Sequence, residues 1–127
     1  MVAAFASWHE HHAAARDALD SGVTVIAHCA LETYSVLTRL PAPHRVAAEV
    51  AAMYLRLRFS GEPLVLPASA QRSLVSRFAS MGIAGGAVYD ALVAATAAHH
   101  GVVLVTLDAR AEPTYARIGV TSRRLET

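Results

Sequence analysis

The stretch Gly86-Ala87-Val88-Tyr89-Asp90-Ala91-Leu92-Val93-Ala94-Ala95-Thr96-Ala97-Ala98-His99-His100-Gly101-Val102-Val103-Leu104-Val105-Thr106-Leu107-Asp108 decides the fold. Its first part is rich in alanine and predicts a helix of small residues, suited to close packing. Gly101 ends that helix, and the continuous apolar run from Val102 to Leu107 predicts a strand covered on both faces. Two aspartates interrupt this apolar company. Asp90 has Gly86, Ala87, Val93 and Ala94 as its neighbours at three and four residues' distance, and Asp108 closes the strand. An ionised carboxylate among apolar groups is costly unless a cation meets it, and converging carboxylates suit a hard metal ion.

Working outward, the pattern alternates. Residues His12 to Asp20 predict a short helix stopped by Gly22, and Val23-Thr24-Val25-Ile26-Ala27 a short buried strand. A helix from Cys29 to Leu40 ends at Pro41 and Pro43. Val46, Val50, Met53 and Leu57 recur at helical spacing and predict an amphipathic helix from about Pro43 to Phe59. Leu64-Val65-Leu66 predicts another short strand, and Ser69 an N-cap for a helix carrying Leu74, Phe78 and Met81. A short helix from Pro113 to Ile118 and an extended segment from Val120 to Leu125 close the chain. Strands alternating with helices predict a single α/β domain over residues 1–127, a three-layer α/β/α arrangement around a central parallel sheet. Sites on such sheets gather outside the carboxyl ends of the strands, where Asp108 falls.

Composition narrows the function classes. The chain has 127 residues and is 54% hydrophobic, which suits one well-buried core. No stretch reaches the roughly 18 apolar residues of a membrane-spanning helix, and Met1 to Ala6 lacks the basic start of a secretory signal. The single cysteine, Cys29, reads as a small buried hydrophobe and suits a cytoplasmic location. All eleven basic residues are arginine, which excludes mechanisms built on a lysine, the P-loop and Schiff-base enzymes among them. His9, His11, His12, His99 and His100 show no zinc-site spacing and read as surface or helix-end residues.

A third carboxylate, Glu32, lies in the helix after the Val23–Ala27 strand and so starts near that strand's carboxyl end. Each carboxylate also has a plain structural role open to it. Glu32 suits a solvated helix face, and Asp108 suits an N-cap. Asp90 has the fewest such roles.

The order of Tyr89-Asp90-Ala91, Thr106-Leu107-Asp108, the upstream Leu31-Glu32 helix, the approach Trp8 to Ala13 and the segment Tyr115 to Val120 resembles the PIN domain family. More narrowly, it is similar to the VapC-type toxins of type II toxin–antitoxin pairs. The resemblance implies an endoribonuclease dependent on Mg2+ or Mn2+, an RNA substrate, a cognate antitoxin and a homodimer, with the helix from Val46 to Leu57 as one surface for it. Carried over, Glu32, Asp90 and Asp108 match the second, third and fourth acidic positions of the family, as both catalytic and metal-holding residues. Thr106 would help position the site, and Arg110 would meet RNA phosphate.

One departure bears on activity. The family pattern opens with a strand ending in aspartate, and Val2-Ala3-Ala4-Phe5 resembles the apolar stretch after it. The aspartate would then lie about four residues before Met1, together with the strand that leads to it, so the first strand is expected to be missing from these 127 residues. Either the working protein is longer, or the chain is a weakened or inactive module that binds RNA or an antitoxin without cutting. The first is expected. Intact mass of the protein from its own cells should therefore exceed 13.4 kDa by several residues, whereas a matching mass would favour the module.

Overall fold

The computed structural model describes residues 10–125, in two compact units that meet in sequence at Pro63 and Leu64. The Val2–Phe5 stretch and the Trp8-His9 approach lie outside the described residues.

The N-terminal unit holds α1 (His12–Asp20), α2 (Ala27–Arg39) and α3 (Ala48–Arg58). The first of these has the expected bounds. Helix α2 begins two residues early, because Ala27-His28-Cys29-Ala30 carries no breaker and the helix takes residues that the expected strand would have used. Of that strand only Ile26 remains, as a single bridge residue. At the other end of α2, Val46 N–H donates to Leu37 O at 3.0 Å and Arg45 Nε to Leu40 O at 3.0 Å. These donors satisfy carbonyls that the helix end leaves open. Residues 41–47 are thereby held as a loop, and α3 starts at Ala48 rather than near Pro43.

Leu37 and Ala51 are fully buried and centre the packing of α2 on α3, with Thr33 beside them. Thr33 sends its hydroxyl to Cys29 O at 2.8 Å, which satisfies a buried polar group within its own helix. Arg58, at the end of α3, pairs with Asp20, at the end of α1. Cys29 is only half-buried, less so than its type suggests. The apolar stripe of α3 lies open to solvent. Val50, Met53 and Leu57 are 50%, 51% and 71% exposed, and the helix turns Ala51 to the core instead.

The C-terminal unit runs α4 (Ala68–Arg72), α5 (Leu74–Ser80), α6 (Ala87–His99), β1 (Leu104–Thr106), α7 (Glu112–Ile118) and β2 (Ser122–Arg124). Ser69 caps nothing; the N-cap position belongs to Pro67. Ser73 breaks the expected single helix in two, its hydroxyl bonding Ala70 O at 2.9 Å in competition with the backbone ladder. Helix α6 is buried from Ala91 to Ala97 apart from Leu92, and packs against α7 and α5. Small side chains allow that close approach.

Gly101, with φ +65°, ends α6 in the left-handed region that side chains other than glycine rarely adopt. Val102 N–H then returns to Ala97 O at 3.1 Å, closing the helix end. Gly119, with φ +94°, does the same for α7. Strands β1 and β2 pair in parallel with Leu104 opposite Ser122 and Thr106 opposite Arg124, and α7 is the crossover between them. This is the parallel-sheet α/β fold expected, with two strands among the described residues. The Leu64–Leu66 strand reduces to one bridge residue, and Val102 and Val103, 40% and 55% exposed, fall short of the covered strand expected of them.

Two arginines clamp α5 and α7 together reciprocally. Arg77 Nη2 donates to Ile118 O at 3.4 Å, and Arg117 Nη2 donates to Met81 O. Each guanidinium thus meets the carbonyl end of the other helix, where positive charge is favoured.

On α3, burial pushes the Tyr54 phenol above its ordinary value of 10.0, partly offset by the Arg58 guanidinium. The folded state therefore holds this proton more tightly than the unfolded state. Its contribution to stability is fully present below about pH 10 and is lost as pH rises through the folded value. Denaturant unfolding between about pH 8 and pH 11 should show an alkaline decline that is shallower in Tyr54→Phe.

Candidate functional site

The structure gives each of the three carboxylates a definite setting. Asp90 lies in the first turn of α6, half-buried, because the helix begins at Ala87. Asp90 thus sits near the start of the helix rather than in its middle. At a helix N-terminus negative charge is favoured by the dipole, which removes part of the cost of placing aspartate there.

Asp108 stands just past the carboxyl end of β1, and its side chain is 50% exposed. It does not cap α7, whose N-cap position is Ala111. Its own loop holds it instead. Asp108 N–H donates to Thr106 Oγ1 at 3.0 Å, and Asp108 Oδ1 accepts from Arg110 N–H at 2.9 Å. Thr106, Asp108 and Arg110 thus form consecutive side-chain turns that fix the direction of the chain as it leaves the strand. Arg110 Nε is 3.7 Å from Asp108 Oδ1, with 96% of its side chain exposed, so the guanidinium is open to an external anion. That exposure suits the expected contact with phosphate.

Glu32, on α2 in the other unit, pairs with His28 one turn earlier and is 54% exposed. The solvated helix face foreseen for it is half right, since the carboxylate is exposed and also engaged. The i, i+4 spacing of His28 and Glu32 is the sequence signal for this pairing.

Among the described residues no three His, Cys, Asp or Glu side chains are grouped so as to hold a metal ion. The donor chemistry of Glu32, Asp90 and Asp108 still fits a hard divalent cation in kind, because all three offer carboxylate oxygen. Mg2+ in particular keeps several waters and takes only one or two carboxylates plus substrate phosphate, rather than a full protein cage. His99 and His100 stand at the end of α6 as expected, their rings edge to face at 5.1 Å, with His100 Nε2 2.8 Å from Val65 O. No helix among the described residues is long and apolar enough to cross a membrane.

The parallel pairing of β1 and β2 fits the α/β fold that the sequence resemblance implied. The match to known proteins agrees: residues 1–116 fit the PIN domain family, and the chain belongs to it, in its VapC-type branch. It is similar to Ribonuclease VapC40 of Mycobacterium tuberculosis, strain CDC 1551 / Oshkosh, at 51% identity over 120 residues, 94% of this chain and 90% of that protein. The VapC40 of strain ATCC 25618 / H37Rv matches equally, and Ribonuclease VapC27 of that strain is 46% identical over 118 residues, 93% of this chain and 79% of its own length. No solved structure matches the chain.

The Thr106 hydroxyl is the acceptor that fixes Asp108. Thr106→Val should lower unfolding stability by about 1 kcal/mol, read by denaturant titration, and Thr106→Ser should retain most of it.

Proposed function

We infer that the protein is an endoribonuclease toxin of a toxin–antitoxin pair, cleaving RNA phosphodiester bonds with the aid of Mg2+ or Mn2+. The observation that carries this is the 51% identity to a protein named as a ribonuclease, running across 94% of the chain. The setting of the aspartates supports it. Helix α6 and strand β1 are consecutive and joined by the tight reversal at Gly101. Asp90 and Asp108 therefore stand at the two chain ends of one helix–strand hairpin.

In this reading Glu32, Asp90 and Asp108 hold the divalent cation and bear the catalysis. What a bound cation supplies is a water of lowered pKa and neutralisation of charge on the attacked phosphate. The residues themselves do the positioning. The Thr106–Asp108–Arg110 turns hold one carboxylate at the strand end, and the first turn of α6 carries Asp90. Arg110, exposed beside Asp108, meets the RNA backbone; its fixed charge and planar donors match phosphate oxygens.

The partners follow from the same assignment: RNA as substrate, a cognate antitoxin, and a second copy of the chain in a homodimer. The exposed Val50, Met53 and Leu57 of α3 offer an apolar surface for the second copy. The protein acts as a single PIN domain in the cytoplasm, a reading that the lone cysteine suits.

In the full-length protein, Asp90→Asn and Asp108→Asn should each abolish metal-dependent cleavage of RNA while leaving the circular dichroism spectrum unchanged. Retained cleavage in both variants would overturn the assignment. Undiminished RNA binding without cleavage by the wild-type protein would favour a binding module.

A further inference from the structure

We propose that His28 is a positioning residue that sets the orientation of the Glu32 carboxylate and thereby strengthens divalent-cation binding. The proposal rests on the function just inferred and adds a residue to its site.

The two residues are four apart on α2, so their side chains rise from the same face, one turn above the other. His28 Nε2 lies against Glu32 Oε1, and the pair is asymmetric in burial: the histidine side chain is 26% exposed and the glutamate 54%. The ring nitrogen itself is shielded from solvent. A shielded imidazole nitrogen and a half-exposed carboxylate make a lopsided contact, with the histidine the more enclosed of the two and so the less free to turn.

The backbone beneath them is well fixed. Thr33 and Leu37 bury another face of the same helix, and the Thr33 hydroxyl bonds Cys29 O. Glu32 would otherwise sample many rotamers about its flexible stem. A carboxylate has two oxygens, so contact of Oε1 with the imidazole leaves Oε2 available to a cation. Ligating carboxylates are commonly held by such outer partners, whose loss weakens metal affinity by roughly 10–100-fold. Neither Asp90 nor Asp108 has a histidine one turn away, so this support is particular to Glu32.

The test is a titration of the full chain with Mn2+ alone, without RNA, following free Mn2+ by electron paramagnetic resonance. The variants are His28→Ala, His28→Gln, Glu32→Gln and the double variant His28→Ala with Glu32→Gln. Circular dichroism checks that each keeps its helix content, with His28→Gln deciding the matter where the alanine variant does not fold. The proposal expects His28→Ala to weaken Mn2+ affinity about tenfold, His28→Gln to restore most of it through its amide donor, and His28→Ala to add nothing in the Glu32→Gln background. Unchanged affinity in His28→Ala beside weakened affinity in Glu32→Gln would overturn the role of His28 alone. An equal loss from His28→Ala with and without Glu32 would do the same, because the histidine would then act independently. Wild-type affinity in Glu32→Gln would instead overturn the assignment of Glu32 itself.

Discussion

The close packing of α6 against α7 is the constraint on which the C-terminal unit depends. Ala91, Ala94, Ala95 and Ala97 bring small side chains to a buried helix surface, and Tyr115 and Ile118 of α7 are buried in the same unit. Because α7 is the only segment between β1 and β2 long enough to reverse the chain twice, fixing it also fixes the parallel pairing of Leu104 with Ser122. That pairing ends at Thr106, and the loop carrying Asp108 starts there. A larger residue among these alanines would move the helix, and with it the strand end that presents the aspartate.

The candidate residues owe their settings to ordinary backbone economics rather than to special strain. Among the described residues no residue other than glycine takes a positive φ. Asp90 sits where a helix welcomes negative charge, Asp108 where a strand end needs a turn, and Glu32 where an i, i+4 partner is at hand. Each is affordable to the fold alone. Chemistry can therefore be asked of all three without a large loss of stability, which suits a small domain with little stability to spare.

Much of this was legible in the sequence where a local rule acts without competition. Helix α1 has its expected bounds, since an apolar repeat meets Gly22, and α6 begins and ends within a residue of its expected limits because glycines flank it. Legibility failed where two local rules compete. At Ser73 a hydroxyl and the helix ladder want the same carbonyl, and at Ala27 a helix and a strand want the same residues. It failed again where burial is decided by distant packing. Val50, Met53 and Leu57 recur at helical spacing, yet the residue of α3 that is fully buried is Ala51, outside that repeat. The arginine clamp between α5 and α7 joins residues about forty apart in sequence, and no spacing rule reveals it. For the candidate site, residue type and order pointed to Glu32, Asp90 and Asp108 and to Thr106 and Arg110 beside them, while the bonds of the Thr106–Asp108–Arg110 turns and the His28–Glu32 contact became clear only from geometry.

That clamp has a consequence for how the unit opens. Helices α5 and α7 have seven residues each, too short to persist alone in water. Each lends an arginine to the last carbonyls of the other, so fraying of either end uncaps its partner. Opening of one helix therefore removes a cap from the other, which couples their local opening. Since guanidinium keeps its charge throughout the physiological range, acidity or alkalinity in the cell cannot release one helix from the other.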